Sequence, residues 1–442
     1  MQRAAQRIVE KLRLHGYEAF FAGGWVRDFL MRRKPKDIDI ATSARPEEVL
    51  KLFRETTPIG ASFGVVQVRM YGHAYEVATF RSEGPYLDGR HPSQVTFSGP
   101  RQDALRRDFT INGLFYDPVA DRVIDYVHGR ADIQRKIIRT IGNPLERFAE
   151  DKLRMLRAVR FACALSFQID PNTWQAIKQE SAGILQVSWE RIRDELLKIL
   201  PGPNAGGALD LLHESGLLGH ILPEVEAMRG VEQPPEFHPE GDVFVHTRMI
   251  LDTLRRPSPV LALAALLHDV GKPPTFAVKE RIRFDGHVEV GAQMAEAICR
   301  RLRLSNDETE HVVALVRNHL KFMHVREMRQ STLKKFLRMP NFSDHLDLHR
   351  ADCLSSHGNL DSYKFCKLKM HEFQQEPPSP PPLITGRDLI EMGYTPGPIF
   401  KEILDRVEDL QLENALATRE EVLEFVKKTF PLTQDSKTGV GD

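Results

Sequence analysis

The hydrophobic period of this chain changes once, near residue 143, and that switch limits the folds open to it. Before it, short strand-like runs (EAFFAGG, DIDIAT, GVVQVRMYG and YEVATF) alternate with helix-like segments such as RPEEVLKLF. After it, from ERFAEDKLRMLRAVRFACAL through SWERIRDELLKIL and on to about His324, apolar residues recur at helical spacing. The pattern predicts an α/β head followed by an all-α remainder. Pro201, Gly202 and Pro203 punctuate the helical part, and QQEPPSPPPL at 374–383 reads as a stiff linker. The expected division is a head at 1–140, a helical neck at 141–203, a helical body at 204–370 and a helical tail at 371–442 that ends in a frayed TQDSKTGVGD.

Lys plus Arg number 61 and Asp plus Glu number 61, so the formal charge is zero and a globally basic nucleic-acid coat is excluded. No run of about 18 uncharged apolar residues is present, and the N-terminal MQRAAQRIVEKLRLHG is an amphipathic helix pattern rather than a signal core. A cytoplasmic protein without membrane contact is expected. Cys163, Cys299, Cys353 and Cys366 form no CxxC pair, so they are expected to stay reduced thiols.

Gly23 and Gly24 join the strand EAFFA to the helical WVRDFLM. Glycines at such a turn let backbone N–H groups approach a phosphate, and Arg27 adds a full positive charge; a plain tight turn is the alternative. In KDIDIAT, Asp37 and Asp39 alternate with Ile38 and Ile40, so both carboxylates face one side of a strand and the isoleucines the core. Two acids aimed at one point suit Mg²⁺, and a glycine turn a dozen residues upstream favours a metal-assisted phosphoryl or nucleotidyl transfer site over an edge strand with a solvated face. Glu76 in YEVATF is a candidate third acid. In ALRRDFTINGLFYD, Arg106, Arg107 and Asp108 precede Asn112 on an expected helix, offering guanidinium and amide groups to phosphate. ERFAEDKLRMLRAVRF sets Asp151, Arg154, Arg157 and Arg160 three residues apart, which predicts one helical stripe. That stripe is either a solvated face with ion pairs or a surface that reads a base with Asp151 and Arg154 and holds a triphosphate with Arg157 and Arg160.

GGWVRDFLMRRKPKDIDIAT, RRDFTINGLFYD, DYVHGRADIQRKIIRTIG and EDKLRMLRAVRFA resemble, in order, the successive motifs of the class II tRNA nucleotidyltransferase and bacterial poly(A) polymerase family. The resemblance spans about residues 20 to 200. It implies a DNA polymerase β-like nucleotidyltransferase head, two Mg²⁺ ions held by Asp37 and Asp39, and tRNA, CTP and ATP as partners. It also implies that Gly24, Arg27, Arg107, Arg157 and Arg160 contact the incoming nucleotide, with Gly23, Asp108 and Asn112 in the same motifs. Glu150, Asp151 and Arg154 are similar to the amino-acid template that pairs with CTP or ATP. RSEGPYLDGRHPSQVTFSGP, with its DGRHP core, resembles the loop of CCA-adding and A-adding members; an ordinary surface loop reads the same way. CCA addition is the first expectation, A addition the second and poly(A) synthesis the third, since the basic extension usual in the polymerases is not apparent.

His246, His268 with Asp269, and Asp352 resemble the H…HD…D pattern of HD-domain metal-dependent phosphohydrolases, with His287 and His319 as outer or second-metal candidates. A divalent transition metal is the implied cofactor there; a structural body that kept its ligands is the alternative. A main HD activity with an RNA-binding head, and a non-catalytic RNA chaperone, are the competing functions. PPLITGRDLIEMGYTPGPIFKEIL resembles the family's tail segment, which is expected to hold the tRNA elbow. No obligate protein partner is implied.

Overall fold

A computed structural model describes the chain except for residues 36, 61–63, 85–94, 237–238, 240, 376–380, 414 and 433–442. The DGRHP loop core, the centre of the proline-rich linker and TQDSKTGVGD therefore lie outside the described residues. The chain divides into two compact units, Met1–Val316 and Arg317–Asp442. No described helix is long and apolar enough to cross a membrane.

In the first unit, α1 (Gln2–Leu14) buries Ala4, Ala5, Ile8, Val9 and Leu12, the stripe its 3.6-residue period requires. It packs on a seven-stranded sheet built from β1 (Ala19–Ala22), β2 (Asp39–Thr42), β3 (Thr56–Gly60), β4 (Val65–Met70), β5 (His73–Thr79), β8 (Leu114–Asp117) and β9 (Arg122–Asp125), in the order β3-β4-β5-β2-β1-β8-β9. Strands β6 (Arg81–Glu83) and β7 (Val95–Phe97) form a separate hairpin. Alternate residues feed a core on each face: Phe21, Ile40 and Val77 on the α1 side, Phe20, Ala41 and Phe115 on the other.

Register decides where the functional groups meet. Ala22 lies opposite Asp39 on β2 and opposite Phe115 on β8, so Gly23, Asp39 and the Leu114 end of β8 share one edge of the sheet. The Gly23 amide donates to the Leu114 carbonyl at 3.1 Å, and α2 (Gly24–Leu30) starts there. Among its described residues the head also carries the short helices α3 (Pro46–Leu52), α4 (Pro100–Leu105) and α5 (Gly129–Arg135).

The segment expected to form the neck opens with α6 (Pro144–Glu150), whose first turn is capped by the Asn143 side chain accepting from the Leu145 amide at 3.0 Å. The expected continuous stripe is broken: the backbone leaves helical conformation at Asp151, φ −146°, and helix resumes as α7 (Arg154–Leu165). Asp151 therefore does not share a helix with Arg154, Arg157 and Arg160. Its own carboxylate helps make the break by accepting from the Leu153 amide at 3.1 Å, the local competition typical of Asp. Helix α7 packs against α9 (Trp189–Ile199), with α8 (Pro171–Glu180) between them in sequence. Among the described residues of the remainder, strands occur as two-residue pairs at Ile137–Ile138 with Gln168–Ile169 and Ala277–Val278 with Ile282–Arg283.

Farther along this unit, helix Pro259–Leu267 buries every residue from Leu261 to Leu267 and is apolar all round, so it runs through a core. The second unit contains two apolar clusters. One gathers Phe322, Phe336 and Phe342 from the segments up to helix Asp361–Gln375, and the other gathers Ile403, Val407, Val422 and Val426 from helices Pro398–Leu412 and Arg419–Thr429.

Candidate nucleotide cleft and histidine cluster

Strand alternation places Ile38 and Ile40 in the core, while Asp37 and Asp39 line a cleft of about 570 Å³. Asp39 opens β2 and Asp37 stands just before it. The parallel pairing of Ile40 with Val77 brings Glu76 alongside Asp39, although Glu76 does not itself line the cleft. Asp39 keeps part of its surface in solvent, yet the surrounding walls desolvate its carboxyl. Desolvation first, then repulsion from Asp37 and Glu76, pushes its pKa up to about 6 against the opposing pull of Arg107. An all-oxygen group in mutual repulsion is a fit for a hard divalent cation such as Mg²⁺, which would relieve that repulsion.

The glycine turn lines the same cleft. Gly23 has φ +67°, and a Cβ there would come within 2.9 Å of Arg107 Nη1, so the turn tolerates only glycine beside that guanidinium. Arg27 Nη1 donates to Asn112 Oδ1 at 2.8 Å, and Arg107 Nη1 donates to the Asn112 carbonyl at 3.2 Å. The expected helix across 106–112 is absent. Helix α4 ends at Leu105, and Thr110–Asn112 form a single 3₁₀ turn, because Asp108 and Asn112 hydrogen-bond locally instead of lying along a helix. Asp108 Oδ1 accepts from the Phe109 amide at 2.8 Å and from Asn112 Nδ2 at 3.1 Å, while Oδ2 accepts from Arg157 Nε at 2.9 Å. Desolvation would raise the Asp108 pKa, but the Arg157 charge and these hydrogen bonds outweigh it and hold it at about 2.

On the neck side, Asp151, Arg154 and Arg157 line the same cleft. Arg154 Nη1 donates to Glu150 Oε2 at 2.6 Å and to the Arg147 carbonyl at 2.9 Å, so Glu150 braces Arg154 from outside the lining. Arg160 does not line the cleft either. Its Nε donates to the buried Glu195 at 2.6 Å, and its guanidinium lies over the Phe161 ring at 4.2 Å. Thus the expected residues Gly23, Gly24, Arg27, Asp37, Asp39, Arg107, Asp108, Asn112, Asp151, Arg154 and Arg157 converge, whereas Glu76, Glu150 and Arg160 stand outside the lining.

Arg191 and Glu195 are among the residues that escaped sequence reasoning. Arg191 lines the cleft and donates from Nη2 to Asp151 Oδ2 at 2.8 Å. Glu195, 3% exposed, receives Arg160. The available signal was a charge at an apolar-face position of α9, since Glu195 follows Ile192 by three residues and Ile192 is fully buried.

A second polar cluster lies in the core of the first unit. The end of helix Pro259–Leu267 delivers His268 and Asp269, and helix Val243–Thr253 delivers His246. All three are at most 2% exposed. His268 Nδ1 bonds the Ala265 carbonyl and His287 Nδ1 the Phe284 carbonyl, both at 2.8 Å, which turns each Nε2 toward Asp269 at 3.0 and 3.8 Å. Carbonyl-oriented imidazoles converging on a carboxylate form a donor set that fits a divalent transition metal. Lys272 Nζ also reaches Asp269 Oδ2, at 2.7 Å. Asp352, the last member of the expected set, and His319 belong to the second unit, on helix Phe342–Ser355 and the 3₁₀ segment His319–His324 respectively.

Comparison with known proteins finds domain matches along the segments that carry these residues. Residues 19–139 match the poly(A) polymerase head domain, 166–229 the "probable RNA and SrmB-binding site of polymerase A", and 242–355 the HD domain. The chain is 46% identical to the CCA-adding enzyme of Geobacillus stearothermophilus over 215 residues, covering 48% of this chain and 53% of that relative. It is 48% identical to the CCA-adding enzyme of Geobacillus sp. strain WCH70 over 215 residues, 48% of this chain and 53% of that relative. The match thus spans about half the length of these curated relatives. Over 97% of this chain and 98% of the other, the fold superposes on the Bacillus stearothermophilus CCA-adding enzyme solved with CTP, with TM-score 0.72 and 28% identity. The chain thus carries, in order, matches to a poly(A) polymerase head domain, to that polymerase's probable RNA-binding segment and to an HD domain, and it is similar to CCA-adding enzymes.

Proposed function

We propose that the cleft adds nucleotides to the 3′ end of tRNA and completes its CCA terminus from CTP and ATP. One observation carries this reading: carboxylates suited to a cation and an arginine-rich set that includes Asp151 and Arg154 line a single cleft. The names of the relatives, CCA-adding enzymes, support it, as does the neighbour solved with CTP.

The chemistry is in-line attack of the tRNA 3′-hydroxyl on the α-phosphate. A new oxygen–phosphorus bond forms, the bond to pyrophosphate breaks, and the hydroxyl proton is lost. Two Mg²⁺ ions, held by Asp37 and Asp39, would supply the charge that acidifies the hydroxyl and neutralises the leaving group. Arg27 and Arg107, fixed through Asn112, grip the triphosphate near the glycine turn. Asp151 accepts from, and Arg154 donates to, the edge of the incoming base, so the protein takes the place of a template strand. Pre-set groups of this kind lower the barrier by positioning rather than by covalent chemistry.

Transcripts lacking CCA, incubated with Mg²⁺ and CTP alone, ATP alone or both, test the reading. Three residues added with both nucleotides, and then arrest, are expected. A alone added to CC-ended tRNA, or a long A tract, identifies an A-adding enzyme or a poly(A) polymerase instead. Asp39→Ala abolishes incorporation without unfolding the protein.

The histidine cluster favours a second activity, phosphohydrolysis at the HD site, with a metal held by His246, His268 and Asp269 and with Asp352 completing the motif in sequence. Metal-dependent release of phosphate that His268→Ala removes and Asp37→Ala leaves intact is the expected result. Its absence with Mn²⁺, Ni²⁺, Co²⁺ or Zn²⁺ assigns the cluster to folding alone.

A further inference from the structure

Asp103, in the last turn of α4, has no part in the residues assigned so far. It is 1% exposed, yet each of its carboxylate oxygens holds one guanidinium edge. Oδ1 accepts from Arg106 Nε at 2.9 Å and pairs with Arg106 Nη2 at 2.7 Å; Oδ2 accepts from Arg107 Nε at 3.3 Å and Nη2 at 3.1 Å. The Arg81 amide, at the base of the β6–β7 hairpin, donates to Oδ1 at 3.3 Å. Both arginines line the nucleotide cleft and Asp103 does not. From the other side, Arg147 Nη2 donates to the Arg107 carbonyl at 2.7 Å, so the turn that carries the pair is held at main chain and side chain alike.

A buried carboxylate is a poor device for stability, since an apolar residue of the same volume commonly does as well. Its value here lies in the two cations it orients. Arginine side chains have many rotamers, and ordering them on ligand binding weakens affinity; ordered beforehand, they present a fixed fork to phosphate. Two guanidiniums against one carboxylate also leave net positive charge facing the cleft. Desolvation pulls the Asp103 pKa upward, but Arg107 and Arg106 hold it below the usual carboxylate value, so the anchor stays charged.

We propose that Asp103 is a positioning residue that sets Arg106 and Arg107 against the triphosphate of the incoming nucleotide. The inference rests on the nucleotidyl-transfer reading. It predicts loss of phosphate grip without loss of base choice, because Asp103 holds the guanidiniums of Arg106 and Arg107, whereas Arg154 meets Arg106 at its main-chain carbonyl, at 3.5 Å.

The test compares wild type with Asp103→Asn, which keeps the shape and removes the charge. Calorimetric affinities for CTP and ATP are expected to fall about tenfold, and by equal factors, as for loss of a hydrogen bond to a charged group, while CMP affinity stays unchanged. In steady state KM rises and kcat moves less. In the Arg106→Gln/Arg107→Gln background, Asp103→Asn adds nothing further, because its effect travels through those side chains. Arg106→Lys keeps the charge but loses the planar fork; it is the second variant should Asp103→Asn melt early, and it is expected to show the same selective loss. Equal loss for CTP and CMP, additive effects in the cycle, or unchanged CTP affinity in both variants overturns the inference. Wild-type protein that incorporates no nucleotide removes the transfer reading and this inference together. Active wild type matched by both variants removes the inference alone.

Discussion

Replacing Gly23 with alanine tests whether the nucleotide turn is shaped as described. At φ +67° and ψ −127° the residue occupies backbone space open to glycine, and an L side chain there costs about 1–3 kcal/mol. The new Cβ also meets Arg107 Nη1 at 2.9 Å, closer than carbon and nitrogen tolerate. Arg107 has little room to retreat, because Asp103 and the Asn112 carbonyl hold it, and giving up one such bond costs about 1.5–3 kcal/mol more. Gly24 is the internal control. Its Cβ would meet only Arg27 Nη2 at 3.7 Å, an ordinary contact, and alanine at the start of α2 restricts the unfolded chain, a gain of up to about 1 kcal/mol. Thermal melting is the first assay: at roughly 2–4 °C per kcal/mol, Gly23→Ala lowers the midpoint by several degrees and Gly24→Ala does not. Titration with CTP is the second, and Gly23→Ala weakens binding because Arg107 is displaced. A Gly23→Ala protein that melts with wild type, or a Gly24→Ala protein that is the less stable of the two, refutes the argument.

Asp39 has a folded pKa of about 6 against an ordinary 3.8, so without a cation its contribution to stability is complete below 3.8 and lost as pH rises through 6. In chelator, Asp39→Asn should therefore melt above wild type at pH 8 and level with it at pH 4. Asp108 behaves oppositely: its pKa of about 2 makes a contribution that is present above 3.8 and lost as pH falls toward 2. Asp108→Asn costs up to about 3 kcal/mol by urea denaturation, the low end for a buried pair because Arg157 stays partly solvated. Arg191→Ala frees Asp151 from its partner at 2.8 Å; stability changes by less than about 1 kcal/mol, while discrimination between CTP and ATP in single-turnover addition relaxes.

The acids and glycines were legible because a strand period of two and a turn between strand and helix are local properties. Asp37, Asp39, Gly23 and Gly24 land where their spacing puts them. Reading ERFAEDKLRMLRAVRFACAL, 146–165, as continuously helical overshot, since apolar spacing continues through Asp151 while its side chain caps the chain locally. The helix expected across 106–112 failed for the same reason at Asp108 and Asn112.

By itself, then, the sequence determined the head of strands and helices, the helical remainder, and the kinds of groups the two sites contain, all through periodicity and motif. Tertiary structure decided which of those charges face the cleft and which hold others in place. Arg157 and Arg160 sit one turn apart on α7, yet the first lines the cleft on Asp108 and the second stands outside it on the buried Glu195. Spacing reports the face a side chain occupies. It carries no information on the partner that packing, 35 or 49 residues away in the chain, brings against that face.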